Sequence, residues 1–359
     1  MAWARPMHNR GHVDQAGETL AKIRTASYED GFGSALVEWL EATEVIDNWR
    51  SSHAYPLQAL KMTLRNRAKV IDQKALIAQR LKRMSSITAK LRRFENMKLS
   101  QMQDLGGCRA VVRGVRHVQQ LVSLYEKSLA KNPNERAEFV KKYDYIACPK
   151  TDGYRGVHFV YKYRSRAAKH QVYNGLRIEI QLRSRVQHAW ATAVETVDMC
   201  TKQALKSGIG DESWQRFFAL MGSAIAIRER CPPVPNTPGS NDGLVEEIRD
   251  LSQRLNIFSV LEGMTAGVEL VSEMKKSSTY LLVLDSNKQQ TRVQGYTARN
   301  LPLATEEYMR IEKENVDNKS IQAVLVSVDS IAALRSAYPS YYLDTREFLN
   351  VVTEVIKGK

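Results

Sequence analysis

The sequence predicts an α/β fold, with a helical preface, a basic sheet-containing body and a smaller α/β tail. Three observations carry that reading. Residues 176–183 alternate strictly: Leu176, Ile178, Ile180 and Leu182 fall on one side, and Arg177, Glu179, Gln181 and Arg183 on the other. That is the period of a half-buried strand. Leu36, Trp39, Leu40 and Ile46, then Leu57, Leu60, Leu64 and Ala68, recur at helical spacing ahead of it. Finally, Cys231–Ser240 holds four of the chain's ten prolines, the composition of a linker.

In chain order, helices are predicted at about Gly33–Trp49 and Pro56–Lys69. Strands follow at Ala75–Arg83, Gly107–Arg113, Arg155–Arg164 and Leu176–Ser184. A helix beginning near Arg185 carries Val186, Trp190, Val194 and Val197 along one stripe, and another surrounds Trp214–Ile227. Beyond the prolines come a helix over about Asp242–Leu261, strands at Tyr280–Leu284 and Arg292–Thr297, and a helix at Glu306–Asn315. A strand at Ala323–Val328 and a helix at Leu343–Ile356 complete the chain. The organisation is therefore a helical region at 1–70, a body at 71–230, a linker at 231–240 and an accessory or regulatory α/β domain at 241–359.

Composition narrows the function classes. The chain has 359 residues, 43% of them hydrophobic, and a formal charge of +14. Residues 241–359 carry 14 Lys+Arg against 17 Asp+Glu, which leaves a net +17 on residues 1–240. A basic body joined to a mildly acidic tail is suited to polyanions, either nucleotides or RNA. Cys108, Cys148, Cys200 and Cys231 are widely spaced and form no C-x-x-C pair, as expected for free thiols in a reducing compartment. His8 and His12 are four apart but have no acidic neighbour, so they do not read as a metal site. There is no run of 18 apolar residues and the first fifteen residues are polar, so a cytoplasmic protein without a membrane span is expected.

Four segments of the body carry groups suited to polyphosphate chemistry. The first is Arg80-Leu81-Lys82, followed by Ser85-Ser86 and Lys90: two cations lead to a helix N-terminus that Ser85 is placed to cap, with a third cation one turn beyond Ser86. A basic surface stripe is the plain alternative. In the second, Asp104 precedes Gly106-Gly107 and a strand bearing Arg109; such a carboxylate can bind Mg²⁺ or merely cap a turn. The third, Asp144-Tyr145 through Pro149-Lys150, Gly153-Tyr154 and His158, presents an aromatic ring among cations, as base stacking requires. A hairpin tyrosine packed on a sheet edge would look the same. The fourth is the Glu179 strand itself, with its helix bearing His188, Trp190 and Glu195.

Together these segments resemble the synthetase domain of the RelA/SpoT family, the nucleotide pyrophosphokinases. The patterns R-x-K…S…K, D-x-x-x-x-R, D-Y-x-x-x-P-K-x-x-G-Y and E-x-Q-x-R occur in family order over roughly residues 70–200. The resemblance implies a nucleotidyltransferase-like mixed sheet flanked by helices. It also implies roles: Arg80 and Arg109 sandwich the adenine of ATP; Lys82, Ser86 and Lys90 hold its triphosphate; Asp104 and Glu179 bind Mg²⁺. Glu179 further serves as base for a ribose 3′-hydroxyl, with Tyr154 stacking on the acceptor base. Lys150 and His158 lie near the acceptor's phosphates, and Gln181 and Arg183 order its loop. His188 and Trp190 are expected to pack rather than react.

The implied reaction transfers pyrophosphate from ATP to GDP or GTP. The alternative acceptor is the 3′ end of tRNA or an adenine nucleotide, as in toxic relatives, with residues 241–359 as a fused inhibitor. A non-catalytic RNA- or nucleotide-binding protein is the third reading, and a homo-oligomer is compatible with each. Two residues depart from the pattern: Gly156 stands where serine is usual, and Asp152 where asparagine is frequent. Both fall where the acceptor would bind. No His-Asp dipeptide occurs, so the hydrolase half of longer relatives is not expected.

Overall fold

The computed structural model describes residues 3–22, 33–131, 137–201, 211–264, 267–270, 277–315, 318, 320–328, 331–342 and 344–358. The helical preface comprises α1 (Arg10–Lys22), α2 (Gly33–Ser52) and α3 (Ala54–Ile71). The body continues with β1 (Leu76–Leu81), α4 (Met84–Arg93), β2 (Gly106–Val112), α5 (Val115–Lys131), β3 (Ala137–Asp144) and β4 (Val157–Tyr163). It ends with the short α6 (Ala168–Gln171), β5 (Arg177–Ser184), α7 (Arg185–Thr201) and α8 (Glu212–Arg228). The tail contains α9 (Asn241–Arg254), α10 (Ile257–Gly263), β6 (Gly267–Leu270), β7 (Thr279–Asp285) and β8 (Gln290–Tyr296). Helix α11 (Leu301–Glu314), β9 (Ile321–Val328), α12 (Ile331–Ala337) and α13 (Arg346–Ile356) close it.

The predicted α/β class, a mixed sheet flanked by helices, is what the structure shows. Among the described residues, nine strands form one sheet in the order β3-β4-β5-β2-β1-β9-β7-β8-β6. The β2–β5 and β6–β8 pairs are parallel, and the other pairs are antiparallel. Strand β9 joins the two halves by pairing Ala78 with Val328, Gln79 with Ser327 and Arg80 with Val326. The tail therefore extends the body's own sheet, and it does so on the strand that carries Arg80.

Alternation on the central strands assigns the two faces. Ile77, Cys108, Ala110, Ile178, Ile180 and Leu182 pack with Leu57, Leu60 and Leu64 of α3 and Val118, Leu121 and Tyr125 of α5. Each such fully buried aliphatic side chain contributes about 1.5–3 kcal/mol, so a one-residue slip of register is strongly disfavoured. The opposite face of β1, β2, β4 and β5 carries Arg80, Arg109, His158, Glu179, Gln181 and Arg183, with Ala78, Val111 and Val160 buried among them. A second core joins α7, α8, α9 and α13 to the tail strands through Trp190, Phe217, Phe218, Ile248, Leu282, Val324 and Phe348.

Several elements differ from the sequence expectation for local reasons. The helix expected over Asp242–Leu261 is two helices, because Asn256 takes a left-handed conformation (φ 47°) between α9 and α10. Strand β3 was not predicted: it is an edge strand whose Ala-Glu-Phe-Val-Lys-Lys-Tyr-Asp sequence has no clean alternation. The final helix begins at Arg346 rather than Leu343, which lies outside the described residues. The Pro-rich segment read as a linker is pinned on α8. The Val234 N–H donates to Ser223 Oγ at 2.8 Å, Arg155 donates to the Pro232 carbonyl at 3.0 Å, and Arg216 to the Asn236 carbonyl at 2.6 Å.

Candidate active site

The polar face of the sheet floors a cavity of about 800 Å³. Register sets its floor: Arg80 lies beside Gly107, Ala78 beside Arg109, Gly107 beside Glu179, and Arg109 and His158 beside Gln181. Eleven of the twelve site residues expected from the sequence line this cavity: Arg80, Lys82, Lys90, Asp104, Arg109, Lys150, Tyr154, His158, Glu179, Gln181 and Arg183. Ser86 does not. It sits within α4, one turn before Lys90.

The expected cap of α4 is a correction. Arg83, not Ser85, is the N-cap residue, and no side chain of its own caps the helix. The Met84 N–H instead donates to Glu312 Oε1 of α11 at 3.0 Å. Glu312 Oε2 also accepts from the fully buried Arg50 at 2.6 Å, so a tail carboxylate occupies the helix end that the sequence reading gave to phosphate. A carboxylate is favoured there for the same reason a phosphate is, because free N–H groups and the helix dipole both attract negative charge.

Asp104 sits just ahead of β2 and accepts from Lys82 Nζ at 2.6 Å and from Lys90 Nζ at 2.9 Å. Burial by itself would raise its pKa, but the two ammonium groups and their hydrogen bonds outweigh burial and pull it down to about 2. Burial lowers the Lys82 pKa, against the attraction of Asp104. For Arg109, burial and then repulsion from Arg183 bring the pKa down to about 10. Its Nε hydrogen is buried without a hydrogen-bond partner.

Glu179 is held from both sides. His158 Nδ1 lies 2.9 Å from Oε1, and Gln181 Nε2 donates to Oε2 at 2.6 Å. Burial would raise the Glu179 pKa; the charge of and hydrogen bond from His158, aided by Gln181, lower it below the ordinary value despite nearby Asp104. His158 Nε2 in turn lies 2.5 Å from the Tyr154 hydroxyl, which accepts from Arg183 at 2.9 and 3.2 Å. The loop carrying Gly153 and Tyr154 is clamped on α8. A Cβ at Gly153 would stand 2.6 Å from the Phe218 carbonyl oxygen, and one at Gly222 2.7 Å from Gly153 Cα. Only glycine permits that approach. His188 Nε2 lies 3.2 Å from the Ser336 carbonyl, and Trp190, which also lines the cavity, donates from Nε1 to the Phe218 carbonyl at 2.9 Å.

Sequence reasoning missed the residue that comes from the tail. Tyr338 follows α12, lines the same cavity and is buried. Its hydroxyl donates to the Gln79 carbonyl at 2.9 Å, the Arg109 guanidinium carbon lies 5.5 Å from its ring centroid, and Arg109 donates to the Ala337 carbonyl at 2.5 Å. The signal was present in Tyr338-Pro339-Ser340-Tyr341-Tyr342, three tyrosines in five residues in an otherwise acidic tail. Tyr143 and Tyr145 also line the cavity and were given no role from the sequence.

Seven Lys and Arg side chains, four carboxylates and a set of aromatic rings line this one cleft, a composition suited to phosphate-rich ligands. Residues 79–199 match the model of the region found in RelA/SpoT proteins. No curated protein sequence matches the chain. Among solved structures it is similar to small alarmone synthetase 1 from Bacillus subtilis bound to its product pppGpp, with 23% identity and a TM-score of 0.42 over 53% of this chain and 93% of that one. It is also similar to a GTP pyrophosphokinase family protein from Streptococcus pneumoniae, with 21% identity and a TM-score of 0.39 over 62% of this chain and 98% of that one. Among the described residues, no helix is long and apolar enough to cross a membrane.

Proposed function

We propose that the chain is an ATP-dependent pyrophosphokinase that transfers the β,γ-diphosphate of ATP to a ribose 3′-hydroxyl and is held inactive by its own tail. The observation that carries this reading is the convergence of Arg80, Lys82, Lys90 and Arg109 with Asp104 and Glu179 on one sheet face. Phosphoryl-type transfer needs positioning and charge neutralisation more than covalent catalysis, and this face supplies both. Arg80 and Arg109 hold the adenine, while Lys82 and Lys90 exchange Asp104 for triphosphate oxygens. The acceptor's 3′-oxygen bonds to the β-phosphorus, the bond from that phosphorus to the α-phosphate bridging oxygen breaks, and AMP leaves. Glu179 takes the hydroxyl proton as the new bond forms.

The carboxylates of Asp104 and Glu179 both line the cavity and are both held ionised, which suits Mg²⁺. A small hard cation takes few protein carboxylates and fills its other positions with phosphate oxygens. Bound there, it would supply charge neutralisation at the β- and γ-phosphates.

GDP or GTP is the acceptor on the family resemblance. A second reading, transfer to the 3′ end of tRNA or to an adenine nucleotide, is favoured by the +17 body and by Tyr338. A tyrosine of the chain seated against the adenine-side arginine keeps ATP out, a safeguard suited to an activity that stops growth.

The test uses ATP labelled at the γ-phosphate, Mg²⁺, and GDP, GTP, AMP or bulk tRNA offered separately to the intact chain and to Tyr338→Ala. Label on a guanine nucleotide supports the alarmone reading. Label on tRNA that is lost in Glu179→Gln supports the toxin reading. Absence of transfer from both proteins to every acceptor leaves a nucleotide-binding protein and defeats the enzymatic proposal.

A further inference from the structure

Four carboxylates line the cavity, and three of them take hydrogen bonds from within the body. Asp104 accepts from Lys82 and Lys90, Glu179 from Gln181, and Asp152 from the Tyr154 N–H at 2.8 Å. The fourth, Glu195, takes one from the tail: its Oε2 accepts from the hydroxyl of the buried Ser340 at 2.8 Å.

Glu195 belongs to the end of the cavity that holds Arg80 and Arg109. On α7 it follows Ala191 by one turn, and Ala191, Val194 and Glu195 line the cavity together with Ala78 and those two arginines. Small apolar side chains beside guanidinium planes suit a flat base. Burial alone would lower the Arg80 pKa, and Glu195, ahead of Tyr341, Tyr338 and Tyr308, raises it above its ordinary value. The carboxylate is therefore within electrostatic reach of that guanidinium.

The tail segment at this end makes the kinds of contact that a nucleoside makes. The Tyr338 ring lies against Arg109, its hydroxyl donates to the Gln79 carbonyl, and Ser340 donates to Glu195. Adenosine also offers a flat ring for a guanidinium and donors for a carboxylate, in its 6-amino group and its ribose hydroxyls. Release of the segment takes the Ser340 hydroxyl away from a half-buried carboxylate. Losing a hydrogen bond to a charged group at such a place is costly, and a ligand that restores it is favoured.

We propose that Glu195 is a specificity-determining residue for the donor: once the segment leaves, its carboxylate accepts from the nucleoside of ATP the hydrogen bond that Ser340 gives it in this structure. This rests on the pyrophosphokinase reading and adds to it a residue that recognises the donor nucleoside.

The experiment is calorimetric titration, without acceptor, of four triphosphates into a chain carrying Tyr338→Ala and Ser340→Ala, with and without Glu195→Ala. The ligands are ATP, 2′-deoxy-ATP, 3′-deoxy-ATP and purine riboside triphosphate, which lacks the 6-amino group. Glu195→Ala is expected to weaken ATP roughly tenfold. The analogue lacking the contacted donor should change by less than about twofold, because its partner is already missing. Insensitivity of purine riboside triphosphate assigns the contact to the 6-amino group, and insensitivity of a deoxy analogue assigns it to that ribose hydroxyl. Equal weakening of all four would mean that Glu195 acts only through Arg80, and an ATP affinity unchanged by Glu195→Ala would mean that it does not face the donor; either result overturns the assignment. Glu195→Gln keeps the shape of the side chain and is read in the same way, with a loss of roughly threefold expected for ATP. If the chain that retains Glu195 binds no ATP, the function proposed above fails and this assignment with it.

Discussion

The Tyr338 hydroxyl donates to the Gln79 carbonyl at 2.9 Å, which fastens the tail to a strand 259 positions earlier in the chain. The next residue on that strand is Arg80, and the partner of the Tyr338 ring is Arg109. Both arginines proposed to hold adenine are therefore covered or braced by one tail segment. On the proposed function, a ligand stacking on the Arg109 face that Tyr338 covers competes with that ring, so its affinity and the position of the tail are linked.

Tyr338→Ala is expected to strengthen ATP binding by about tenfold or more, because ATP no longer competes with an internal occupant. Calorimetric titration of ATP into the Glu179→Gln chain, with and without Tyr338→Ala, measures this without turnover. Equal affinities would show that the tyrosine leaves the adenine place open.

Glu312→Ala removes one carboxylate from buried Arg50 and from the Met84 N–H together. The loss is expected to be about 3 kcal/mol of stability, the cost of leaving a buried charge short of its partner. Urea unfolding reads it, and a change below about 0.5 kcal/mol would mean that Asp47, the Tyr308 hydroxyl and the Lys82 carbonyl satisfy Arg50 without Glu312.

Asp104→Asn is expected to abolish the Mg²⁺ dependence of ATP binding in the Tyr338→Ala chain. In the same variant Lys82 and Lys90 lose the ion pairs at 2.6 and 2.9 Å, so metal-free ATP binding should survive or tighten. Titrations at several Mg²⁺ concentrations separate the two effects. A dependence that persists in the variant would place the metal elsewhere.

His53 supplies a pH dependence of stability. Burial holds its pKa down at about 4 from 6.5, although its ring bonds to the Trp49 carbonyl at 2.8 Å. Below about 6.5 the unfolded chain binds a proton that the folded chain refuses, so stability is full above that pH. It declines as pH falls towards 4, by up to about 3 kcal/mol. Unfolding of His53→Gln should show a shallower slope between those pH values, and an identical slope would exclude His53 as the source.

The choice between mononucleotide and tRNA acceptors has its own discriminator in the exposed Arg92 and Arg93. Charge reversal at both is expected to weaken transfer to tRNA and to flatten its salt dependence, because phosphate contacts release counterions. Transfer to GDP should be spared. Equal losses with both acceptors would mean that RNA does not cross this face.

Much of the fold was legible because its central strands are half-buried. The alternation at 176–183 gave both the strand and the polar face, and that face does carry Glu179, Gln181 and Arg183 into the cavity. Strand β3 escaped detection because an edge strand buries too little to force a pattern. Ser85 was misread as a cap because cap chemistry was sought locally, whereas the carboxylate that caps α4 lies 228 residues away. Gly156 was legible as a departure, but the pressure of a Cβ on Tyr154 and Arg183 is a three-dimensional fact.

The sequence alone determined the strand faces, the order of the phosphate-handling segments and the charge contrast between body and tail, since each depends on local periodicity or composition. Tertiary structure decided which groups meet. It set Asp104 between two lysines, closed the circuit around Glu179 and laid Tyr338 against Arg109. Contacts of that kind join residues far apart in the chain. Packing and register choose them, and no pattern in one segment reports its distant neighbour.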